Sequence, residues 1–250
     1  MCGRYALAVP KEDVEAEFSM IRIEWFPPRY NIAPTQPILV VRAERGERRP
    51  ALVRWGLIPS WTKDLSALPL LFNARSETAA EKPAFRGAFR HRRCLIPATG
   101  FYEWQKGPDG RKQPFYLQPA RGGVIAFAGL WDEWADDKGN VIDTATILTT
   151  AANRELAPIH ERMPVVVQPD QYDLWLGLDA GRGEGASRLL LPPPDGTFEA
   201  IPVGPGVSNF RNDNAAIQLR ATVENAPPPR PAPERARPKP ARGDDQLKLF

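Results

Sequence analysis

Arg93-Cys94-Leu95-Ile96-Pro97-Ala98-Thr99-Gly100-Phe101-Tyr102-Glu103-Trp104 is the stretch on which the fold class turns. Its first half, Arg93–Pro97, is a short run of aliphatic character, and its second half is aromatic and interrupted by one carboxylate. Such runs, punctuated by Pro and Gly, read as strands. The same pattern recurs outward along the chain at Tyr5–Val9, Ile38–Arg42, Ala51–Ile58, Phe115–Leu117, Val124–Leu130 and Thr144–Thr149. Helical spacing is rarer. Lys11–Met20 has an acidic first turn with Val14 and Phe18 on one face, and Pro169–Leu176 opens with proline and Asp170. Ser76–Phe89, interrupted by Pro83, and Asn153–Ile159 are further expected helices. The expectation is an α+β protein: a single compact domain with a curved, mostly antiparallel sheet or barrel-like core flanked by a few helices.

Composition narrows the class. The 250 residues, 42% hydrophobic, suit a soluble globular protein with one large domain, or two small ones at most. A net charge of +3 does not argue for nucleic acid by itself, so any basic surface must come from how the arginines are arranged. No stretch approaches the roughly 20 apolar residues of a membrane span. The start shows no basic region followed by an apolar core, which predicts no signal peptide and a cytoplasmic protein. Cys2 and Cys94 are the only cysteines, His91 and His160 the only histidines, and their spacing matches no zinc motif. Neither a metal nor an organic cofactor is expected. The 28 prolines are uneven: Ala226–Gly243 is so rich in them that it reads as an extended linker. That divides the chain into a folded body at 1–224, a Pro/Arg-rich linker at 225–245 and a terminal peptide at 246–250. Gly177–Gly196 reads as a surface insertion.

Cys2 follows the initiator Met and is small enough for that Met to be removed. Removal leaves an α-amine and a thiol on adjacent carbons, with reference pKa values of about 8 and about 8.5, so both have nucleophilic forms near neutral pH. A 1,2-aminothiol captures aldehydes: the amine condenses to a Schiff base and the thiol closes a five-membered thiazolidine. Gly3 permits close approach of the backbone to a ligand, and Arg4 sets a guanidinium able to bind phosphate beside the nucleophile. Three more segments place polar groups among apolar strands. Asn73 and Arg75 lie two apart and share a face if extended. Glu103 stands among aromatics, where burial would raise its pKa. His160 lies close to Arg162. Each also has a structural reading: a turn residue, a partner of Lys106 and a helix end, respectively.

Taken together, MCGRYA at the start, RYNIAPTQ (Arg29–Gln36), RWGLIPSW (Arg54–Trp61), FNARSET (Phe72–Thr78), RCLIPATGFYEW, FAGLWDEW (Phe127–Trp134) and HERMPV (His160–Val165) resemble the SOS response-associated peptidase family. The resemblance implies a compact α+β domain that shields abasic sites in single-stranded DNA. It implies a cysteine nucleophile at Cys2, an active-site asparagine at Asn73, an acid–base glutamate at Glu103 and a histidine at His160. Arginines gripping the DNA backbone fall on Arg4, Arg75 and Arg162, and an aromatic wedge against stacked bases falls on Trp104. Val207–Asp213 keeps the family's Arg-Asn-Asp but not the preceding residues, and it is expected to lie outside the site. Two other readings stay open: an N-terminal-nucleophile peptidase built on Cys2, His160 and Glu103, and a passive single-stranded DNA binder. A monomer is expected. The terminal Gln246-Leu247-Lys248-Leu249-Phe250 resembles the pentapeptide that docks on the bacterial replication sliding clamp. Gln246 would enter one pocket and Leu247, Leu249 and Phe250 would supply apolar contacts, bringing the protein to replication forks in the nucleoid. His91 has no assigned role, and strand packing is the expectation for Cys94.

Overall fold

The computed structural model describes residues 2–20, 23–181 and 183–221. The linker and the terminal peptide with Gln246, Leu247, Leu249 and Phe250 lie outside the described residues. The strands are β1 (Tyr5–Leu7), β2 (Arg29–Ile32), β3 (Pro37–Glu44), β4 (Glu47–Trp55), β5 (Asn73–Arg75), β6 (Arg93–Ala98), β7 (Gly100–Lys106), β8 (Lys112–Pro119), β9 (Ile125–Ala135), β10 (Val141–Ala151), β11 (Arg162–Pro164), β12 (Val166–Val167) and β13 (Phe198–Pro202). The helices are α1 (Lys11–Phe18), α2 (Ser76–Ala79), α3 (Pro83–His91) and α4 (Tyr172–Leu176), with a few 3-10 turns.

Strands β10, β4, β3, β6 and β9 pair in that order, and β9 pairs back onto β10, closing a five-stranded barrel. Closure removes the exposed edges of those strands. The barrel is antiparallel except where β10 runs parallel to β4, and β5 also joins β10 in parallel. Ile38, Leu39, Val40 and Val41 are all buried in succession, so β3 is covered on both faces. The β3–β4 hairpin turns through Arg45-Gly46, both with positive φ, a two-residue turn whose twist matches the strands. The second sheet has the order β13-β8-β7-β1-β2.

The Arg93–Trp104 stretch joins the two sheets. Its first half is β6 in the barrel, and after Thr99 its second half is β7 in the other sheet. Gly100 makes the corner because a Cβ there would lie 2.6 Å from the Leu117 carbonyl oxygen and 2.7 Å from the Tyr116 ring. Cys94 is buried opposite Gly129, and its Sγ fills the space a Cβ on that glycine would occupy.

Pro83 divides the expected Ser76–Phe89 helix into α2 and α3, as its missing N–H requires. The Asn153–Ile159 helix does not form. Asn153 Oδ1 accepts from the Leu156 N–H, Pro158 cannot donate, and the segment is a run of turns. The expected Ala51–Ile58 strand ends at Trp55, where the chain leaves the barrel and Gly56 N–H bonds the Ala145 carbonyl. The Gly177–Gly196 insertion is anchored by buried Ala186 and Leu189. No helix among the described residues is long and apolar enough to cross a membrane.

Candidate active site

The site forms where the two sheets meet. Strand β1 is held to β7 by the register Tyr5↔Phe101 and Ala6↔Gly100 and by the Tyr102 N–H to the Arg4 carbonyl. That antiparallel pairing carries the chain start back alongside Glu103. Cys2 is fully buried, and its Sγ lies 3.8 Å from the Arg4 carbonyl oxygen. Burial, with the charge of Glu103 second, pushes the Cys2 thiol far above its ordinary range. From the sequence alone the thiol has an ordinary reference pKa, with a fair fraction nucleophilic near neutral pH. The enclosure works against ionisation, so a nearby base would help the thiol to become nucleophilic.

Glu103 is the buried base nearest in charge. Enclosure pushes its carboxyl above the usual range, and the charge of His160 works in the opposite direction. Its Oε2 lies 4.0 Å from His160 Nε2. The partner Lys106, open in the sequence, is therefore not what holds Glu103. The His160 Nδ1 accepts the Arg162 N–H at 3.0 Å and lies 3.1 Å from the Arg162 carbonyl oxygen. A neutral ring accepts from the first and a charged ring donates to the second, so either protonation state has a backbone partner. With Nδ1 accepting, the proton sits on Nε2 and faces Glu103.

Asn73 lies on β5 opposite Ile147 of β10. Its Nδ2 donates to the Phe72 carbonyl at 2.8 Å, while its Oδ1 is buried with no hydrogen-bond partner among the described residues. An unpartnered buried acceptor is costly unless something donates to it during function.

The three arginines differ. Arg75 is exposed. Arg4 is half-buried, and its Nη1 donates to Asn31 Oδ1 at 2.9 Å and to the Val207 carbonyl at 2.8 Å. Arg162 is only 12% exposed and forms a two-point ion pair with Glu77, at 2.6 and 2.9 Å, while Nη2 also donates to the Thr149 carbonyl at 2.5 Å. Trp104 is half-buried on β7, its Nε1 3.4 Å from Ser208 Oγ.

Sequence reasoning missed Asn31, Asp213 and Glu77. Asn31 is completely buried and donates to the carbonyls of Val207, Asn209 and Asn212. Asp213 accepts from Arg29 Nε and from the N–H groups of Tyr30 and Asn31. The Val207–Asp213 segment is therefore not outside the site: it braces Arg4, two residues from Cys2. The hint was present in polar RYN and RND segments within otherwise apolar surroundings. Among the described residues no group of three or more His, Cys, Asp or Glu side chains is placed to hold a metal ion.

A barrel joined to a second sheet, with a buried cysteine near the chain start and a carboxylate–imidazole pair where the sheets meet, defines an α+β protein with a candidate site at that junction. The model of the SOS response associated peptidase (SRAP) family matches residues 1–210, and the chain belongs to that family. It is 36% identical over 222 residues to the abasic site processing protein YoaM of Bacillus subtilis (strain 168), covering 87% of this chain and 97% of the relative. Against YedK of Escherichia coli (strain K12), with the same descriptive name, identity is 32% over 230 residues, covering 87% and 98%. The rat protein HMCES, also called abasic site processing protein, is 28% identical over 263 residues, covering 85% of this chain and 74% of that one. Among solved structures, a Bordetella bronchiseptica protein superposes with a TM-score of 0.70 at 29% identity, covering 81% and 99%. A Bacteroides thetaiotaomicron protein shares the fold, with a TM-score of 0.79 at 24% identity, covering 88% and 100%.

Proposed function

We propose that this protein recognises abasic sites in single-stranded DNA and bonds to them covalently through Cys2 once Met1 is removed. The observation that carries the reading is the buried Glu103 carboxyl, 4.0 Å from His160, whose charge also acts on the buried Cys2 thiol. The relatives' shared name, abasic site processing protein, supports the substrate class.

The chemistry follows from the groups present. An abasic deoxyribose interconverts between a closed hemiacetal and an open aldehyde. His160 assists opening by moving a proton at the sugar hydroxyl. The Cys2 amine adds to the C1′ aldehyde carbon, giving a carbinolamine. Loss of the hydroxyl as water, with Glu103 supplying a proton, leaves a Schiff base. The Cys2 thiol then adds across the C=N bond: sulfur bonds C1′ and the thiol proton passes, through Glu103, to nitrogen. The product is a thiazolidine, and the net loss is one water. A carboxyl pushed above its usual range suits both proton donation and acceptance near neutral pH. The unpartnered Asn73 Oδ1 is an acceptor for the Cys2 amine or a sugar hydroxyl. Exposed Arg75 supplies a phosphate contact, and Trp104 a surface that interrupts base stacking.

The test is denaturing electrophoresis with intact-mass analysis of protein mixed with an oligonucleotide carrying one abasic site. The expected product lacks Met1, has the mass of protein plus DNA minus water, and is absent for Cys2→Ala. A folded protein lacking Met1 that gives no such product would sink the reading. Cleavage of peptides in trans would then favour the peptidase, and non-covalent binding alone the passive binder.

A further inference from the structure

Resting on that reading, we propose that Glu77 occupies the seat of a DNA phosphate: its carboxylate fills the outer fork of Arg162 in the free protein and is displaced by a phosphodiester on binding. Both carboxylate oxygens of Glu77 engage Arg162, one on Nη1 at 2.6 Å and one on Nη2 at 2.9 Å. The two non-bridging oxygens of a phosphodiester match the same planar fork.

Three features separate a seat from a plain structural pair. First, the partners are unequally enclosed: Arg162 is 12% exposed and Glu77 50% exposed, so the carboxylate is the one that can leave into water. Second, Arg162 does not depend on Glu77 for its place. Its Nη2 is also held by the Thr149 carbonyl at 2.5 Å, on the neighbouring strand β10. One hold on the guanidinium, at Nη2, therefore remains when the carboxylate departs. Third, Glu77 is already an anion held by cations: the hydrogen bonds from Arg162, with a smaller contribution from the charge of Arg75, hold its carboxyl below the usual range. An anion position held at two points by Arg162, with exposed Arg75 two residues before Glu77, is where a backbone phosphate passing the site would be expected.

The location also fits. Arg162 is two residues from His160 and bonds its ring through the backbone, and Glu77 follows Asn73 by four residues. A phosphate exchanged into this seat lies beside the proposed acid–base groups. Glu77 thereby sets a threshold: a ligand with a phosphate in register replaces it, whereas a lone aldehyde does not.

The test is equilibrium binding of a labelled single-stranded oligonucleotide without an abasic site, followed by fluorescence anisotropy across a salt series. Such a ligand reports the seat without the covalent step. Glu77→Gln is expected to bind roughly 1.5- to fivefold tighter, the scale of releasing one partly exposed ion pair. The gain should vanish when Arg162→Gln is added. The salt dependence should steepen toward one further released counterion. Equal or weaker binding by Glu77→Gln, with wild type crosslinking abasic DNA, refutes the seat and leaves the proposed function standing. If Glu77→Gln does not fold, Glu77→Asp, which keeps the charge but reaches the fork less well, must show a smaller gain of the same sign, and no gain is a refutation. If wild type neither binds nor crosslinks DNA, the proposed function itself fails, and the seat with it.

Discussion

Glu103 Oε2 lies 4.0 Å from His160 Nε2, and the two residues come from different sheets: Glu103 from β7, His160 from the turn that leads into β11 on the barrel. The pair therefore exists only when barrel and second sheet are docked. It sets a carboxyl that burial pushes upward against an imidazole whose other nitrogen is fixed by the backbone of Arg162.

Glu103 is expected to cost stability at neutral pH. Its folded-state pKa is raised above the unfolded value, so the folded protein binds the extra proton. Stability attributable to this group is then greatest below the unfolded pKa and falls as pH rises through the window up to the raised value. Glu103→Gln removes the charge that must be buried, so its melting temperature at pH 7.5 should exceed that of wild type, with the difference shrinking toward pH 4. The same variant should slow crosslinking about 100-fold or more, the scale of one acid–base group. A variant that is less stable at pH 7.5 would contradict the burial argument.

The Cys2 thiol should be sluggish toward alkylating agents. Burial and the Glu103 charge both hold it protonated, and the thiolate is the reactive form. At pH 8, iodoacetamide should modify Cys2 roughly tenfold or more slowly than free cysteine. Glu103→Gln removes one of the two causes and should speed the modification. Mass spectrometry over a time course reads both rates, and equal rates in the two proteins would mean that Glu103 does not act on the thiol.

Much of the barrel was legible because its strands carry consecutive aliphatic residues bounded by turn residues. Pro37–Glu44 and Val141–Ala151 extend the expected runs, and Pro83 marks a helix boundary in sequence as in space. What stayed hidden depends on tertiary pairing. β2, β5, β11 and β13 are five residues or fewer and polar in part, so no local period marks them. The Glu103–His160 approach was legible as two interesting residues but not as a pair, since 57 positions apart in sequence carries no geometry. Arg4, Arg75 and Arg162 read alike as phosphate ligands. Only burial and partners separate exposed Arg75 from braced Arg4 and from Arg162, already paired with Glu77.

Gly100→Ala should damage the corner between the sheets. The added methyl would lie 2.6 Å from the Leu117 carbonyl oxygen, and backbone cannot retreat without moving β8. A loss of about 2–3 kcal/mol is expected, the upper scale of overpacking. Because β7 also carries Glu103, crosslinking by the folded fraction should fall as well. Urea titration gives the first quantity and crosslinking normalised to folded protein the second. A variant as stable as wild type would show that the corner can relax.

Asn31→Ala tests whether the Val207–Asp213 segment belongs to the site. The Asn31 side chain is wholly buried, donates to three carbonyls of that segment and accepts from Arg4. Alanine leaves those acceptors without their donor and Arg4 without one acceptor, while the Val207 carbonyl still holds the same nitrogen. The expected destabilisation is about 2–4 kcal/mol, because several buried polar groups lose a partner at once. Arg4 precedes β1 and its carbonyl receives the Tyr102 N–H, so loosening it also loosens the approach of Cys2 to Glu103. Crosslinking should slow more than the affinity for single-stranded DNA weakens, since the chemistry needs that approach and phosphate contact does not. If affinity fell and crosslinking per bound complex stayed constant, Arg4 would be a phosphate ligand braced by Asn31, and the positioning role would be wrong.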